Sequence, residues 1–135
     1  MTGLGRLHHV EIYVAALEES LLFWRPFLSK LGYNEFQKWE HGVSYILADT
    51  YIVFVQAEKD HIEPGYHRKH VGLNHVAFHA ASKEQVDDMT AWVRALGFRV
   101  LYEDRHPYAG GPGCYALFCE DPNRIKVELV APPEP

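Results

Sequence analysis

The sequence predicts an α+β protein made of two copies of a βαβββ unit, eight strands in all. The first observation is a repeat, because the segment Leu7-His8-His9-Val10-Glu11-Ile12-Tyr13-Val14 matches Leu73-Asn74-His75-Val76-Ala77-Phe78-His79-Ala80. The second is that a helical stretch follows each copy and ends in Leu31-Gly32-Tyr33 or Leu96-Gly97-Phe98, at nearly the same offset. Two matches with a histidine in register indicate an internal duplication.

At the start of the first half, polar and apolar residues alternate over 7–14 as in a β-strand. This alternation places His9, Glu11 and Tyr13 on one face. Apolar residues at helical spacing then predict a helix over 17–31, with a kink or break at Pro26 and Gly32 just past its end. Three strands are expected near 34–40, 43–48 and 51–56.

The second half follows the same plan. Ser82 is the expected N-cap, with Gln85 at the capping-box position of a helix that ends at Gly97. Strands are expected near 98–103, 114–119 and 124–130, and the Gly/Pro-rich segment 106–113 is expected to be irregular.

The length of 135 residues suits a single domain, 1–135, with module one at 6–57, a linker at 58–71 and module two at 72–131. A net charge of −5 provides no basic field for nucleic acid or anionic lipid. The N-terminus lacks the apolar core of a signal peptide, and no apolar run is long enough to span a bilayer. Cys114 and Cys119 are expected on one strand, as free thiols facing opposite ways, which favours the cytoplasm.

Three side chains are candidates for a metal site. His9 and His75 occupy the same position in the two repeats. In the last predicted strand, Ile125, Val127 and Leu129 face the helices, so Glu128 projects from the other side. A carboxylate within an apolar strand is costly unless it is paired or binds a cation. Two imidazoles and one carboxylate with open positions are typical of sites for Fe, Mn, Ni or Zn.

At this point the sequence resembles the vicinal oxygen chelate superfamily. The resemblance is carried by the Leu-X-His-Val segments, the Leu-Gly-aromatic helix ends and the segment from Asp121-Pro122-Asn123 to Glu128, and it covers residues 6–131. It implies two βαβββ modules whose mixed sheet forms a cup with helices outside, and one divalent transition metal (Fe, Mn, Ni, Zn or Co) held by His9, His75 and Glu128. It also implies a homodimer, in which cups are often shared between subunits.

The resemblance suggests a fourth metal position on the strand 51–56. Aligning that strand with 125–130 places Phe54 opposite Glu128, and phenylalanine cannot be a ligand. Gln56 lies two residues further on the same face and is expected to bind substrate. The pattern is therefore three-ligand, as in dioxygenases and thiol transferases.

The reaction stays open at this stage. Extradiol dioxygenases have a tyrosine three residues before the Asp-Pro, and Phe118 stands there instead. Glyoxalase-like lyase or isomerase chemistry on a small oxygen-bearing substrate is therefore slightly preferred over dioxygenation. The alternatives are a binding protein that holds a drug or metabolite without turnover, and a structural module that keeps the ligands by descent.

Further residues are assigned roles around the expected cup. Glu11 is the candidate base and Tyr115 a donor to substrate. His79 lies four residues beyond His75 on the same strand face and is expected to line the cup. Arg68, in the linker, is expected to meet an anionic substrate.

Overall fold

The computed structural model describes residues 4–133. The chain divides into two compact units, Met1–Gly65 and Tyr66–Pro135. Within the described residues, each unit contains one α-helix and one mixed sheet, of four strands in the first unit and three in the second. The βαβ arrangement predicted from the sequence is therefore present twice.

The first unit runs β1 (His9–Val14), α1 (Leu17–Lys30), β2 (Asn34–Trp39), β3 (Gly42–Leu47) and β4 (Thr50–Gln56), followed by a short 3₁₀ turn, Lys59–His61. Its sheet has the order β1-β4-β3-β2, with β1 parallel to β4 and the other pairs antiparallel. All predicted strand positions in this half are confirmed to within one residue.

Helix α1 covers one face of this sheet. Its buried aromatic residues include Trp24, whose ring centroid lies 4.8 Å from that of Phe54 on β4. The sequence predicted a kink or a break at Pro26. The helix is not broken there and continues through Pro26. The carbonyl four residues earlier belongs to Leu22, which is exposed, so water can satisfy the acceptor that a proline leaves without a donor.

The second unit runs β5 (His75–His79), α2 (Lys83–Ala95), β6 (Ala116–Glu120) and β7 (Lys126–Val130). Its sheet has the order β5-β7-β6, with β5 parallel to β7 and β6 antiparallel to it. The predicted start of α2 is confirmed. The backbone N–H of Gln85 donates to Ser82 Oγ at 3.0 Å, and the Gln85 side chain accepts from the N–H of Ala81 at 2.7 Å.

The strand predicted at 98–103 is wrong, and the eight-stranded count with it. Among residues 4–133 there are seven strands, and this segment contributes only an isolated bridge between Val100 and Cys119. The backbone of Tyr102 is left-handed, with φ of 57°. An extended strand cannot continue through that conformation, so pairing ends after Leu101.

The cysteines are free, as expected, but they do not share a strand. Cys119 is buried in β6, while Cys114 lies two residues before that strand begins. Burial raises the pKa of the Cys119 thiol above its usual range.

The two faces of each sheet differ as the alternation predicted. On β1, Ile12 and Val14 are buried, while His9, Glu11 and Tyr13 are exposed. On β7, Val127 and Leu129 are fully buried, and Glu128 lies on the other face. No helix among residues 4–133 is long and apolar enough to cross a membrane.

The turn between β2 and β3 depends on a glycine. A Cβ added to Gly42 would lie 2.4 Å from an indole carbon of Trp39 and 3.0 Å from the carbonyl oxygen of Phe54. We expect Gly42→Ala to lower the free energy of unfolding by about 1–3 kcal/mol through overpacking, measured by urea denaturation. Gly5→Ala is the control, because its Cβ would meet nothing within 4 Å. Equal stability of the two variants would contradict this account of the turn.

Candidate functional site

The second unit brings two of the predicted ligands together. His75 begins β5 and Glu128 lies on β7, and these strands are adjacent and parallel. His75 Nε2 lies 3.1 Å from Glu128 Oε1. The Glu128 side chain is only 13% exposed and the imidazole 34% exposed, so the carboxylate is largely withdrawn from water.

Asn74 orients the imidazole. Its Oδ1 lies 2.7 Å from His75 Nδ1, and its Nδ2 donates to the carbonyl oxygen of Arg68 at 3.4 Å. In this orientation of the amide, Nδ1–H donates to Asn74 Oδ1. The neutral ring therefore presents the lone pair of Nε2 to Glu128, which is the tautomer that a metal ligand needs.

This arrangement fits a cation between the two groups. A carboxylate oxygen and an unprotonated imidazole nitrogen are both acceptors, and two acceptors 3.1 Å apart repel unless a positive charge lies between them. A second proton on the imidazole satisfies that requirement, and so does a divalent ion. The donor set, one imidazole nitrogen and one carboxylate oxygen, is of the kind that Mn, Fe, Ni, Co and Zn accept.

The third predicted ligand, His9, has a matching environment in the first unit. It begins β1, as His75 begins β5. Its Nδ1 lies 2.9 Å from Nδ1 of the preceding residue, His8, and its ring stacks on Tyr51 with centroids 4.6 Å apart and planes 3° from parallel. In both units the residue before the histidine therefore contacts Nδ1 and leaves Nε2 available.

The strand register corrects the alignment that placed Phe54 opposite Glu128. Glu11 on β1 pairs with Val53, and the equivalent pair in the second unit is Ala77 with Glu128. Val53 is thus the counterpart of Glu128. It is buried and apolar, so this position still supplies no ligand from the first unit.

An open pocket of about 410 Å³ adjoins the His75–Glu128 pair. Its lining comes from the second unit alone and comprises His75, Tyr102, Arg105, Ala109, Gly110, Cys114, Phe118, Lys126 and Glu128. Lys126 Nζ donates to the hydroxyl of Tyr102 at 3.0 Å, and this contact lowers the pKa of Tyr102.

The predicted donor Tyr115 lines a different pocket, of about 380 Å³, together with Lys83 and Tyr108. Its hydroxyl donates to Asp87 Oδ1 at 2.5 Å, and that hydrogen bond raises the pKa of Tyr115 to about 12. The hydroxyl therefore stays protonated at neutral pH. Tyr115 does not line the pocket beside His75 and Glu128.

Gln56 is engaged with the backbone where β1 leads into α1. Its Oε1 accepts from the N–H of Leu17 at 2.9 Å, and its Nε2 donates to the carbonyl of Ala15 at 2.8 Å. The predicted base Glu11 and the predicted lining residue His79 are both exposed on their strands. Roles in substrate binding or proton transfer for these three residues stay predictions.

Arg68 is held by an acidic partner. Its Nη1 lies 2.7 Å from Glu120 Oε2, and the Glu120 side chain is only 5% exposed. Arg124 Nε lies 3.6 Å from the same oxygen. The guanidinium that was expected to meet an anionic substrate therefore stabilises a buried carboxylate.

Sequence reasoning missed Asn74, Tyr102, Arg105 and Lys126. Asn74 could have been found from the repeat, since it aligns with His8, directly before the second histidine. Lys126 could have been found from β7, where it shares the face of Glu128. Tyr102 and Arg105 carried no signal, because they lie in an irregular segment whose path the sequence does not determine.

Within residues 4–133, no group of three or more His, Cys, Asp or Glu side chains is gathered closely enough to hold a metal ion. His75 and Glu128 are a pair in the second unit, and His9 belongs to the first. The complete three-ligand set thus remains a prediction from the sequence.

Comparison with known proteins decides the family. The sequence model of the Glyoxalase/Bleomycin resistance protein/Dioxygenase superfamily matches residues 6–129. The chain belongs to this superfamily. Among curated relatives, the uncharacterized protein YqjT of Bacillus subtilis (strain 168) is 61% identical over 126 residues, covering 93% of this chain and 98% of that protein.

Solved structures of the superfamily share the fold. A Bacillus halodurans protein described as a "putative glyoxalase" is 59% identical, with a TM-score of 0.94 and coverage of 96% of this chain and 97% of that one. A mutant of the fosfomycin resistance protein FosX from Listeria monocytogenes, in complex with Mn(II) and 1S,2S-dihydroxypropylphosphonic acid, has a TM-score of 0.65 at 21% identity, covering 95% and 90%. At that identity the likeness shows the fold alone.

Loss of Arg68 should leave the buried carboxylate of Glu120 with only the more distant and exposed Arg124 as its cationic partner. We expect Arg68→Met to lower the free energy of unfolding by about 3 kcal/mol, measured by urea denaturation. The double variant Arg68→Met/Glu120→Gln should recover at least half of that loss, because no charge is then stranded. A double variant as unstable as the single one would show that packing of the arginine, and not charge, is responsible.

Proposed function

We propose that the protein is a divalent-metal-dependent enzyme that acts on a small oxygen-bearing organic substrate, with His9, His75 and Glu128 as the metal ligands. The observation that carries the proposal is the His75–Glu128 contact, in which a largely buried carboxylate faces the Nε2 of an imidazole oriented by Asn74. Membership of a superfamily whose FosX structure contains Mn(II) supports the metal requirement.

Lyase or isomerase chemistry is preferred over ring-cleaving dioxygenation. Phe118 occupies the position where extradiol dioxygenases have a tyrosine, and it packs 6.4 Å from the His75 ring, centroid to centroid. A divalent ion bound here would act as a Lewis acid that stabilises negative charge on the oxygens of a substrate.

The residues of the chain have separate tasks in this proposal. Asn74 holds the His75 ring in its ligating tautomer, and Phe118 excludes water from one side of it. Glu11 is the candidate base, because it is an exposed carboxylate on the same face of β1 as His9 and can move a proton without being tied to the ligands.

A non-catalytic drug- or metabolite-binding protein is the second candidate. It is favoured by the single fact that the described residues gather a pair of ligand side chains and not a trio. The free thiols of Cys114 and Cys119 support a reducing compartment such as the cytoplasm for either function.

Metal content tests the proposal directly. We expect near-stoichiometric transition metal in the purified chain by elemental analysis, and its loss in His9→Ala, His75→Ala and Glu128→Ala. Asn74→Ala should keep the site but weaken its affinity by about tenfold or more, since the imidazole is no longer oriented.

His61→Ala is the matched control, because this exposed histidine lies in the 3₁₀ turn. Iron or manganese in the wild type would redirect the proposal to dioxygenation, while nickel, zinc or cobalt would support lyase or isomerase work. Absence of metal even after reconstitution would reject the enzyme and favour the binding protein.

We further propose a homodimer. The exposed apolar residues Leu4, Leu7, Val10 and Tyr13 precede or lie on β1, which is an edge strand of its sheet and suits association with a second copy. Sedimentation of the wild-type chain should give twice the monomer mass.

Mixing two variants that have each lost metal shows whether the two chains of a dimer contribute ligands to one site. Refolding His9→Ala together with Glu128→Ala should restore metal to about one site per mixed dimer if ligands come from both chains. Each variant refolded alone provides the baseline. No restoration in a mixture that does form dimers would place all three ligands within one chain.

A further inference from the structure

The pocket beside His75 and Glu128 carries positive charge that the proposed metal site does not use. Of its lining residues in the described chain, Lys126 and Arg105 are cationic and Glu128 is the one acid. Glu128 is already directed at His75, so its charge is committed to the ligand pair. The two cations therefore face the open volume of the pocket.

The sheet places one of these cations at a fixed distance from the ligands. Lys126 is the register partner of His75 on the neighbouring strand, and it lies two residues before Glu128 on the same face of β7. Residues two apart on a strand are separated by about 7 Å. A group bound by Lys126 is thus a few bonds away from oxygens directed at His75 and Glu128.

Aromatic rings hold the cations in place. Lys126 Nζ lies 4.9 Å from the ring centroid of Tyr102 and 5.1 Å from that of Phe118. The Arg105 guanidinium carbon also lies 4.9 Å from the Tyr102 centroid. Tyr102 therefore contacts both cations, and its hydroxyl accepts from Lys126 at 3.0 Å, which leaves the O–H free to donate onward.

The backbone of Tyr102 supports a functional reason for this cluster. A bulky residue with φ of 57° is unusual, because the left-handed region is unfavourable for residues with a Cβ. Such strained residues persist where the surroundings hold them, and they cluster at ligand sites. Here the strain ends the pairing with β6 and turns Tyr102 toward Lys126.

We propose that Lys126, Arg105 and the Tyr102 hydroxyl form an oxyanion subsite, so that the substrate is a small organic carboxylate with oxygen on the carbon next to the carboxylate. The carboxylate binds the two cations, and the neighbouring oxygen points to His75 and Glu128. This inference rests on the proposed function for the second contact only. The anion subsite itself needs no metal.

The test uses glycolate as the probe and ethylene glycol as its neutral analogue of similar size. Both are titrated at low ionic strength into the isotope-labelled full-length chain after removal of metal with EDTA and dialysis. We expect glycolate to shift the resonances of His75, Tyr102 and Phe118 with a millimolar dissociation constant, and ethylene glycol to shift none of them.

Lys126→Met should weaken glycolate binding by roughly tenfold, the loss of one charge-assisted hydrogen bond. Arg105→Gln should weaken it by a few-fold, since the arginine is exposed, and Tyr102→Phe likewise. Arg99→Gln is the matched control, because this exposed arginine does not line the pocket. The metal content of Lys126→Met should equal that of the wild type.

The outcomes separate the subsite from the proposed function. Glycolate affinity that is unchanged in Lys126→Met and Arg105→Gln, or no glycolate binding at all, overturns the subsite even if the chain binds metal. Glycolate binding that these variants weaken, in a chain that never takes up metal, supports the subsite and rejects the metal enzyme. Equal binding of ethylene glycol would show a pocket that does not select for charge.

Discussion

The contact between His75 and Glu128 is the constraint on which the candidate site depends. A carboxylate that is 13% exposed has lost most of its hydration, and its partner in the described chain is an imidazole nitrogen at 3.1 Å. Because the other ring nitrogen donates its hydrogen bond to Asn74, that compensation is complete only with a proton on Nε2 or a metal cation between the two groups. The local structure of β5 and β7 is thus arranged around a positive charge.

Comparison of the two repeated units explains why they carry different candidate metal ligands. Both keep the histidine at the start of their first strand and a neighbouring side chain at its Nδ1. The counterpart of Glu128 in the first unit is Val53, which is buried and has no donor atom. At the position equivalent to Glu128 the first unit therefore offers no carboxylate, while the second offers an imidazole, a carboxylate and an adjoining pocket. The histidine and its Nδ1 contact are thus present in both units, and the carboxylate in one.

The features that were predicted correctly from the sequence are those that depend on residues close together in the chain. Alternation along β1 and β7 identified the buried faces, and Ser82 with Gln85 identified the start of α2, because a cap depends on neighbours in the chain. The expected strand at 98–103 was wrong because Val100 and its neighbours are apolar enough for a strand, while the left-handed backbone at Tyr102 is set by tertiary contacts. The one-residue error in aligning β4 with β7 arose from aligning the predicted strand ends, when strand pairing alone sets the register.

The same distinction applies to the site. The proximity of His75 and Glu128 was predictable, since each is a polar residue in an apolar strand. The ion pair of Arg68 was not predictable, because a basic cluster in a linker gives no sign of the buried Glu120 that it stabilises. Tyr102 and Arg105 lie in a segment without periodicity, so only three-dimensional packing brings them to Lys126.

The face of β7 joins these observations. It presents Glu128, which requires a cation, and two residues earlier Lys126, which requires an anion. If the two charges neutralised each other directly, neither would remain available, but Glu128 is directed at His75 and Lys126 at Tyr102. The fold keeps them apart by giving each its own partner on an adjacent segment. A small molecule with a carboxylate and a neighbouring metal-seeking oxygen would satisfy both at once, whereas a neutral molecule would leave the lysine without a counter-charge. Because Lys126 lies two residues from Glu128 on one strand face, the site favours negatively charged substrates.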